Sequence, residues 1–155
     1  MSGGPPGPAR RPAAQPDHEP ARDPVYELDG RRTTSLEAVY AEAGRALLGS
    51  EEWGAAGAGP EALADFHSLL RGGFGAAPTR FRLVWRHAVH ARAALGHPEA
   101  VRHLTARLRD CPPNVLIKTA WALRAALRGE GPTAFDWVVA AVAEHPNVTL
   151  VLDEA

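Results

Sequence analysis

Two carboxylates stand four residues apart in the segment "GPEALADFHSLLRGGFG" at residues 59–75. A proline suited to the first helical position and glycines after the last one predict a short helix over residues 60–71. Glu61 and Asp65 then lie on one helix face, close to the N-terminus, where the helix dipole favours negative charge. Such a pair can present acids to a cationic partner, or it can be an ordinary solvated face. The spacing alone leaves both interpretations open.

The loop before this helix holds other residues that could bind a partner. Residues 50–59 are rich in glycine and include Glu52, Trp53 and Gly54. Tryptophan is enriched among the residues that dominate binding energy at protein interfaces. Trp53 could therefore anchor a partner, or it could fold back over the core, and its residue type does not separate these alternatives.

Patterns typical of catalytic and metal sites are missing from the sequence. His87 and His90 are three residues apart on a predicted helix, but there is no H-E-x-x-H motif and no cysteine–histidine spacing typical of zinc. No G-x-S-x-G nucleophile motif or phosphate-binding loop occurs. Cys111 is the only cysteine, which excludes an intrachain disulfide. We predict no cofactor, no metal site and no enzymatic activity.

Composition restricts the class of partner. The 155 residues, 45% of them hydrophobic, suit one domain with a core of Ala, Val and Leu. The net charge of -1 argues against direct binding of nucleic acid or of an anionic membrane. There is no apolar run of the roughly 20 residues that span a bilayer, and no secretory signal. We expect a cytoplasmic, soluble protein that binds another protein and is a monomer when free.

Hydrophobic periodicity predicts an α/β fold. The segment "VYELDG" (25–30) reads as a strand, and "RFRLVWR" (80–86) alternates with the period of a strand. The continuous apolar run "VTLVL" (148–152) favours a central strand covered on both faces. Helices separate successive strands, so we predict a small parallel sheet with right-handed crossovers.

The predicted helices have recognisable starts. Thr34 and Glu37 suggest a capping box for a helix that stops at Gly49, and Thr133 with Asp136 repeats this pattern before the last helix. A short helix is predicted over residues 87–95.

The remaining segments set the domain organisation. Residues 1–24 are rich in Pro, Gly and Ala, and we predict a disordered tail. The domain then covers residues 25–155. Within it, residues 96–131 read as an inserted helical hairpin that is locally basic and carries Trp121.

The order of these segments resembles that of the barstar-like family. Members of this family are intracellular protein inhibitors of guanyl-specific ribonucleases. The resemblance is carried by "YELDG", "SLEAVYAEAGRALLG", Trp53-Gly54, the short acidic helix, "RLVWR" and "VTLVLD". It covers most of residues 25–95 and 133–153 and leaves the hairpin out. It implies a three-stranded parallel sheet packed with helices, and an acidic helix that covers the cationic cleft of a ribonuclease.

The resemblance also implies which residues bind the ribonuclease: Glu52, Trp53, Gly54, Glu61, Asp65 and Glu144. Their carboxylates would replace RNA phosphates on arginines of the enzyme. This assignment matches "EALAD" to the family's pair of acids, whereas a register based on "LLRGGFG" places Ala64 and Ser68 there. The acid expected midway along the final helix falls at Ala140, with Glu144 one turn further on. Arg86 matches a basic position, and we expect it to pair with an acid of the final helix or loop.

A second hypothesis belongs to a different functional class. The chain could keep the fold and act as a non-inhibitory interaction module, binding another partner through the hairpin at residues 98–128, with Trp121 and the arginines. Trp85 and Trp137, by contrast, lie in apolar stripes and are predicted to be core residues.

Overall fold

The computed structural model describes residues 3–4, 23–49, 60–72 and 80–155, and along the helix that begins at residue 60 it describes side chains from Ala62 onward. Most of the predicted tail and the whole loop over residues 50–59 lie outside this part of the chain.

The chain has the predicted α/β fold with a small parallel sheet. Strands β1 (Val25–Asp29), β2 (Phe81–Arg86) and β3 (Val148–Leu152) pair in the order β1-β2-β3, and both pairings are parallel. Along β2 the odd-numbered residues are buried and the arginines are exposed, as strand alternation requires.

The prediction that residues 148–152 form the central strand is wrong. Strand β2 is central, and β3 is an edge strand in which only Val148 is buried. The apolar run in β3 did not predict the position of the strand in the sheet, because neighbouring helices partly cover an edge strand as well and so favour apolar residues there. An apolar run indicates burial, and it does not determine how many strands pair with it.

Six helices complete the described part of the chain. They are α1 (Leu36–Leu48), α2 (Pro60–Arg71), α3 (Ala88–Ala94), α4 (His97–Asp110), α5 (Pro113–Leu127) and α6 (Ala134–Ala143). The predicted hairpin is confirmed as α4 and α5, which pack on each other between α3 and α6 in the chain.

The capping prediction is wrong for α1 and confirmed for α6. The N-cap of α1 is Ser35, whose Oγ accepts a hydrogen bond from the amide of Ala38 at 3.1 Å. Glu37 cannot complete a box with Thr34, because the helix starts one residue later and the carboxylate binds Arg102. In α6 both bonds of the box form between Thr133 and Asp136.

The main core lies between the sheet and helices α1, α2 and α6. Trp85 is fully buried, stacks on Phe135 with ring centroids 4.9 Å apart, and donates its indole N–H to Thr33 Oγ1 at 3.2 Å. Trp137 is half-buried and packs against both this core and a smaller cluster beneath the hairpin. Both tryptophans therefore pack in apolar surroundings, although Trp137 keeps part of its surface exposed.

A close approach between β1 and β2 depends on one glycine. The amide of Gly30 donates to the carbonyl of Arg86 at 2.6 Å, and a Cβ on Gly30 would lie 2.2 Å from the carbonyl oxygen of His87. Arg86 itself pairs with Glu27 at 2.7 Å and with Asp153 at 3.0 Å. The expected partner on the final helix or its loop is thus replaced by acids on β1 and after β3.

The hairpin is attached to the rest of the fold through α4. Ala100 and Leu104 form a small apolar cluster with Ala126 of α5. The buried carboxylate of Glu99 accepts a hydrogen bond from the amide of Leu36 at 3.1 Å, and so caps the first turn of α1. This bond joins residues far apart in sequence and fixes α4 against α1.

Among the described residues, no helix has the length and apolar character that crossing a bilayer requires.

Candidate functional site

Helix α2 is held by one apolar face and by its C-terminal end. Phe66, Leu69 and Leu70 are almost fully buried, and the Phe66 ring lies 5.1 Å from that of Tyr40 on α1. At the C-terminus, the side-chain amide of Asn147 donates to the carbonyl of Leu70 at 2.8 Å. These contacts fix the direction in which the opposite face of α2 points.

The outer face of α2 presents Asp65 to solvent. Asp65 and its neighbour Ala64 are exposed, and Leu63 is 40% exposed. Among the described residues, no side chain forms a hydrogen bond or an ion pair with the Asp65 carboxylate. Within the described part of the chain, the exposed Asp65 carboxylate therefore has no ion pair to lose when it binds a cationic group of another molecule.

Four of the other predicted binding residues lie wholly or partly outside the described part of the chain. Glu61 lies in the first turn of α2, but its side chain is outside the described part. Glu52, Trp53 and Gly54 belong to the loop that is also outside it. The two registers proposed for the acids therefore stay open, although Ala64 and Ser68 both lie on the described length of α2.

Glu144 lies beside α2, as a member of an open groove between α2 and the end of α6. The groove is lined by Ala64, His67, Ser68, Arg71, Glu144 and His145. The Glu144 side chain is 70% exposed, and its carboxylate is 3.8 Å from Nδ1 of His67. Because Arg71 shares this groove, the negative charge of α2 weakens toward its C-terminus.

A histidine pair links the two walls of this groove. Nδ1 of His67 and Nε2 of His145 are 2.8 Å apart, so one ring donates and the other accepts. Burial lowers the pKa of His145, and the neighbouring His67 and Arg71 lower it further. The neutral form of His145 is therefore favoured, and the contact between the two rings joins α2 to the residues that follow α6. Sequence reasoning missed this contact because the two residues are far apart in the chain.

A second group of polar residues lies where α4 meets α1. Glu37, Glu99 and His103 are close enough to share a metal ion, and they are the one such group in the described ranges. The guanidinium of Arg102 binds both carboxylates and lies 3.0 Å from Nε2 of His103. These acids raise the pKa of Arg102. A permanent cation thus occupies the place between the carboxylates, and the cluster is best described as an ion-pair network.

The hairpin provides the surface named in the second hypothesis. Trp121 is 69% exposed and Ile117 is 70% exposed, and both lie on the side of α5 that faces away from α4. Large apolar side chains with so much exposed surface are typical of interaction sites when they are contiguous.

Comparison of the chain with protein-family models, with curated proteins and with solved structures finds no match.

Proposed function

We propose that this chain is a non-catalytic protein inhibitor of the barstar-like kind. It would place the acidic face of α2 and the preceding loop in the cationic cleft of a guanyl-specific ribonuclease, in the cytoplasm. The observation that carries the proposal is the exposed Asp65 on a helix whose opposite face is anchored in the core. The order of strands and helices, which agrees with the resemblance, supports it.

A fixed acid suits this function for two physical reasons. A cleft that binds RNA concentrates arginine and lysine, and carboxylates form strong charge-assisted hydrogen bonds with them. A helix that is already ordered loses little conformational entropy on binding, which leaves more of the contact energy for affinity. Since Arg71 lies in the α2–α6 groove, the contact would centre on the N-terminal half of α2, where Glu61 and Asp65 stand.

The direct test is inhibition of RNA cleavage by a panel of guanyl-specific ribonucleases, with affinity measured by calorimetry. Asp65→Asn should weaken binding by about 2–5 kcal/mol if its carboxylate becomes a buried, paired charge. The matched control is Asp110→Asn, which removes one charge from an exposed aspartate at the end of α4. Equal affinity of the two variants would remove Asp65 from the interface.

Two further measurements separate charge-driven inhibition from other causes. Higher salt should weaken the complex because exposed charges are screened. If "EALAD" is the binding register, Glu61→Gln and Asp65→Asn should each weaken the complex. Ser68→Ala should leave the affinity of the complex unchanged. If the wild-type chain inhibits no ribonuclease of the panel, the proposed activity is wrong.

A further inference from the structure

The outward face of α5 carries exposed apolar residues along its length and arginines toward its C-terminal end. Leu116 and Leu127 are 44% and 66% exposed, beside the more exposed Ile117 and Trp121. The face of α5 that points to α4 contains Thr119 and Ala126, both buried. One face of the helix is therefore buried and the opposite face is exposed, and both faces carry apolar residues. In water, exposed apolar surface of this kind is stabilised when a partner covers it.

Four side chains form one line along this face. Ile117, Trp121, Arg124 and Arg128 follow each other at intervals of four, three and four residues, which places them on one side of a helix. All four are exposed. The distance along the axis is about 16 Å, at about 1.5 Å per residue. A partner helix of about three turns would match this length.

The charge of α5 indicates the chemistry of that partner. Lys118, Arg124 and Arg128 are exposed, and no ion pair involves them within the part of the chain that the structure describes. No acid occurs between Pro113 and Leu127. Asp110 and Glu130 flank α5 in the chain and do not lie on it. Pairing two copies of this face would bring six cations together, whereas acids on another protein would neutralise Arg124 and Arg128.

We propose that α5 is a docking surface for an amphipathic helix of another protein, with acids in its first turn and an apolar stripe after them. The partner helix would run antiparallel to α5. Its N-terminal acids would then lie over Arg124 and Arg128, and its apolar residues over Trp121 and Ile117. The helix dipole favours acids in the first turn of a helix, so the acids that bind α5 in this orientation also stabilise the partner helix. The proposal goes beyond ribonuclease inhibition and uses none of the α2 residues.

The test uses the full chain and a displayed library of helical peptides of about three to four turns, in which acidic, basic and apolar residues vary at exposed positions. Selected peptides should contain acids in the first turn followed by Leu or another apolar residue at helical spacing. Trp121→Ala should weaken their binding about 30-fold or more, as expected for a central aromatic anchor. Arg107→Gln with Arg109→Gln, on the exposed side of α4, is the matched control and should leave binding unchanged.

A charge exchange determines whether the basic end of α5 selects the acids. Arg124→Glu with Arg128→Glu should lose the acidic peptides and bind the same peptides with lysines in the first turn. Because acids near a helix C-terminus are unfavourable, Arg124→Gln with Arg128→Gln provides a milder variant, which should weaken acidic peptides about 10-fold. Thermal unfolding of each variant confirms that the fold persists.

Four outcomes would overturn the proposal. The library could yield no binder, the binders could lack acids, or their binding could be insensitive to Trp121→Ala. Concentration-dependent association of the full chain that Trp121→Ala abolishes would identify a second copy as the occupant, and would likewise overturn it. Ribonuclease inhibition by the Trp121→Ala variant should equal that of the wild type, so failure of this surface and failure of the α2 proposal are distinguishable.

Discussion

The buried carboxylate of Glu99 offers the most informative perturbation of the fold. It accepts the amide of Leu36 at the start of α1 and binds Arg102, so that it joins the hairpin to the rest of the domain. The side chain is 6% exposed, whereas that of Glu37, which binds the same guanidinium, is 32% exposed. Substitutions at the two glutamates therefore remove similar charges from different environments.

The expected loss of stability follows from what each substitution leaves unpaired. Glu99→Ala leaves the Leu36 amide without its acceptor in a buried position, which costs about 1–3 kcal/mol. Arg102 is about half exposed and keeps its ion pair with Glu37, so losing its ion pair with Glu99 should cost less than about 1 kcal/mol of stability. Together these contributions give a total of about 1–4 kcal/mol, centred below the roughly 3–5 kcal/mol of a fully buried pair. Glu99→Gln keeps an oxygen for Leu36 and should cost about 1 kcal/mol.

Urea unfolding measures these differences. Glu99→Ala should lower the midpoint most, Glu99→Gln less, and Glu37→Gln least, with an unchanged dependence on urea. Hydrogen exchange should also show faster opening of α4 and α5 in Glu99→Ala, because the bond to Leu36 is lost. If Glu99→Ala and Glu37→Gln destabilise equally, the buried carboxylate does not attach the hairpin.

Two further predictions concern a backbone contact and a histidine. Gly30→Ala should lower the free energy of unfolding by about 1–3 kcal/mol because its Cβ would overlap the His87 carbonyl. In urea, Gly96→Ala, whose Cβ would meet nothing closer than 3.5 Å, should cost less than Gly30→Ala, and the reverse order would contradict the clash. Burial, with the charge of His67, lowers the pKa of His145, so its contribution to stability is complete above the unfolded pKa of about 6.5 and is lost as the pH falls through the folded pKa. When the pH is lowered below that value, urea titrations should therefore show a smaller loss of stability for the His145→Asn variant than for the wild type. Equal losses would exclude His145 as the cause.

The types and order of most elements could be predicted from the sequence, because these depend on local patterns. Alternation in β2 and helical spacing in α1, α4 and α6 correspond to the faces that the core buries. The Thr133–Asp136 capping box was predictable for the same reason, since both partners lie within one turn. For α1, Thr34 and Ser35 are both good capping residues, and local pattern could not choose between them.

Contacts between distant residues could not be predicted in this way, because they depend on how the elements pack together. The hydrogen bond from Leu36 to Glu99 joins residues 63 positions apart, and the contact of His67 with His145 joins residues 78 positions apart. The edge position of β3 depends on which strands pair. Periodicity shows that a side chain is buried or exposed, but it carries no information about the partner. The exposed face of α5 illustrates this difference, because apolar side chains at helical spacing usually face a core, whereas the fold leaves Ile117 and Trp121 in solvent. Their exposure arises because α5 packs mainly on α4, and a single neighbour can cover only one side of a helix.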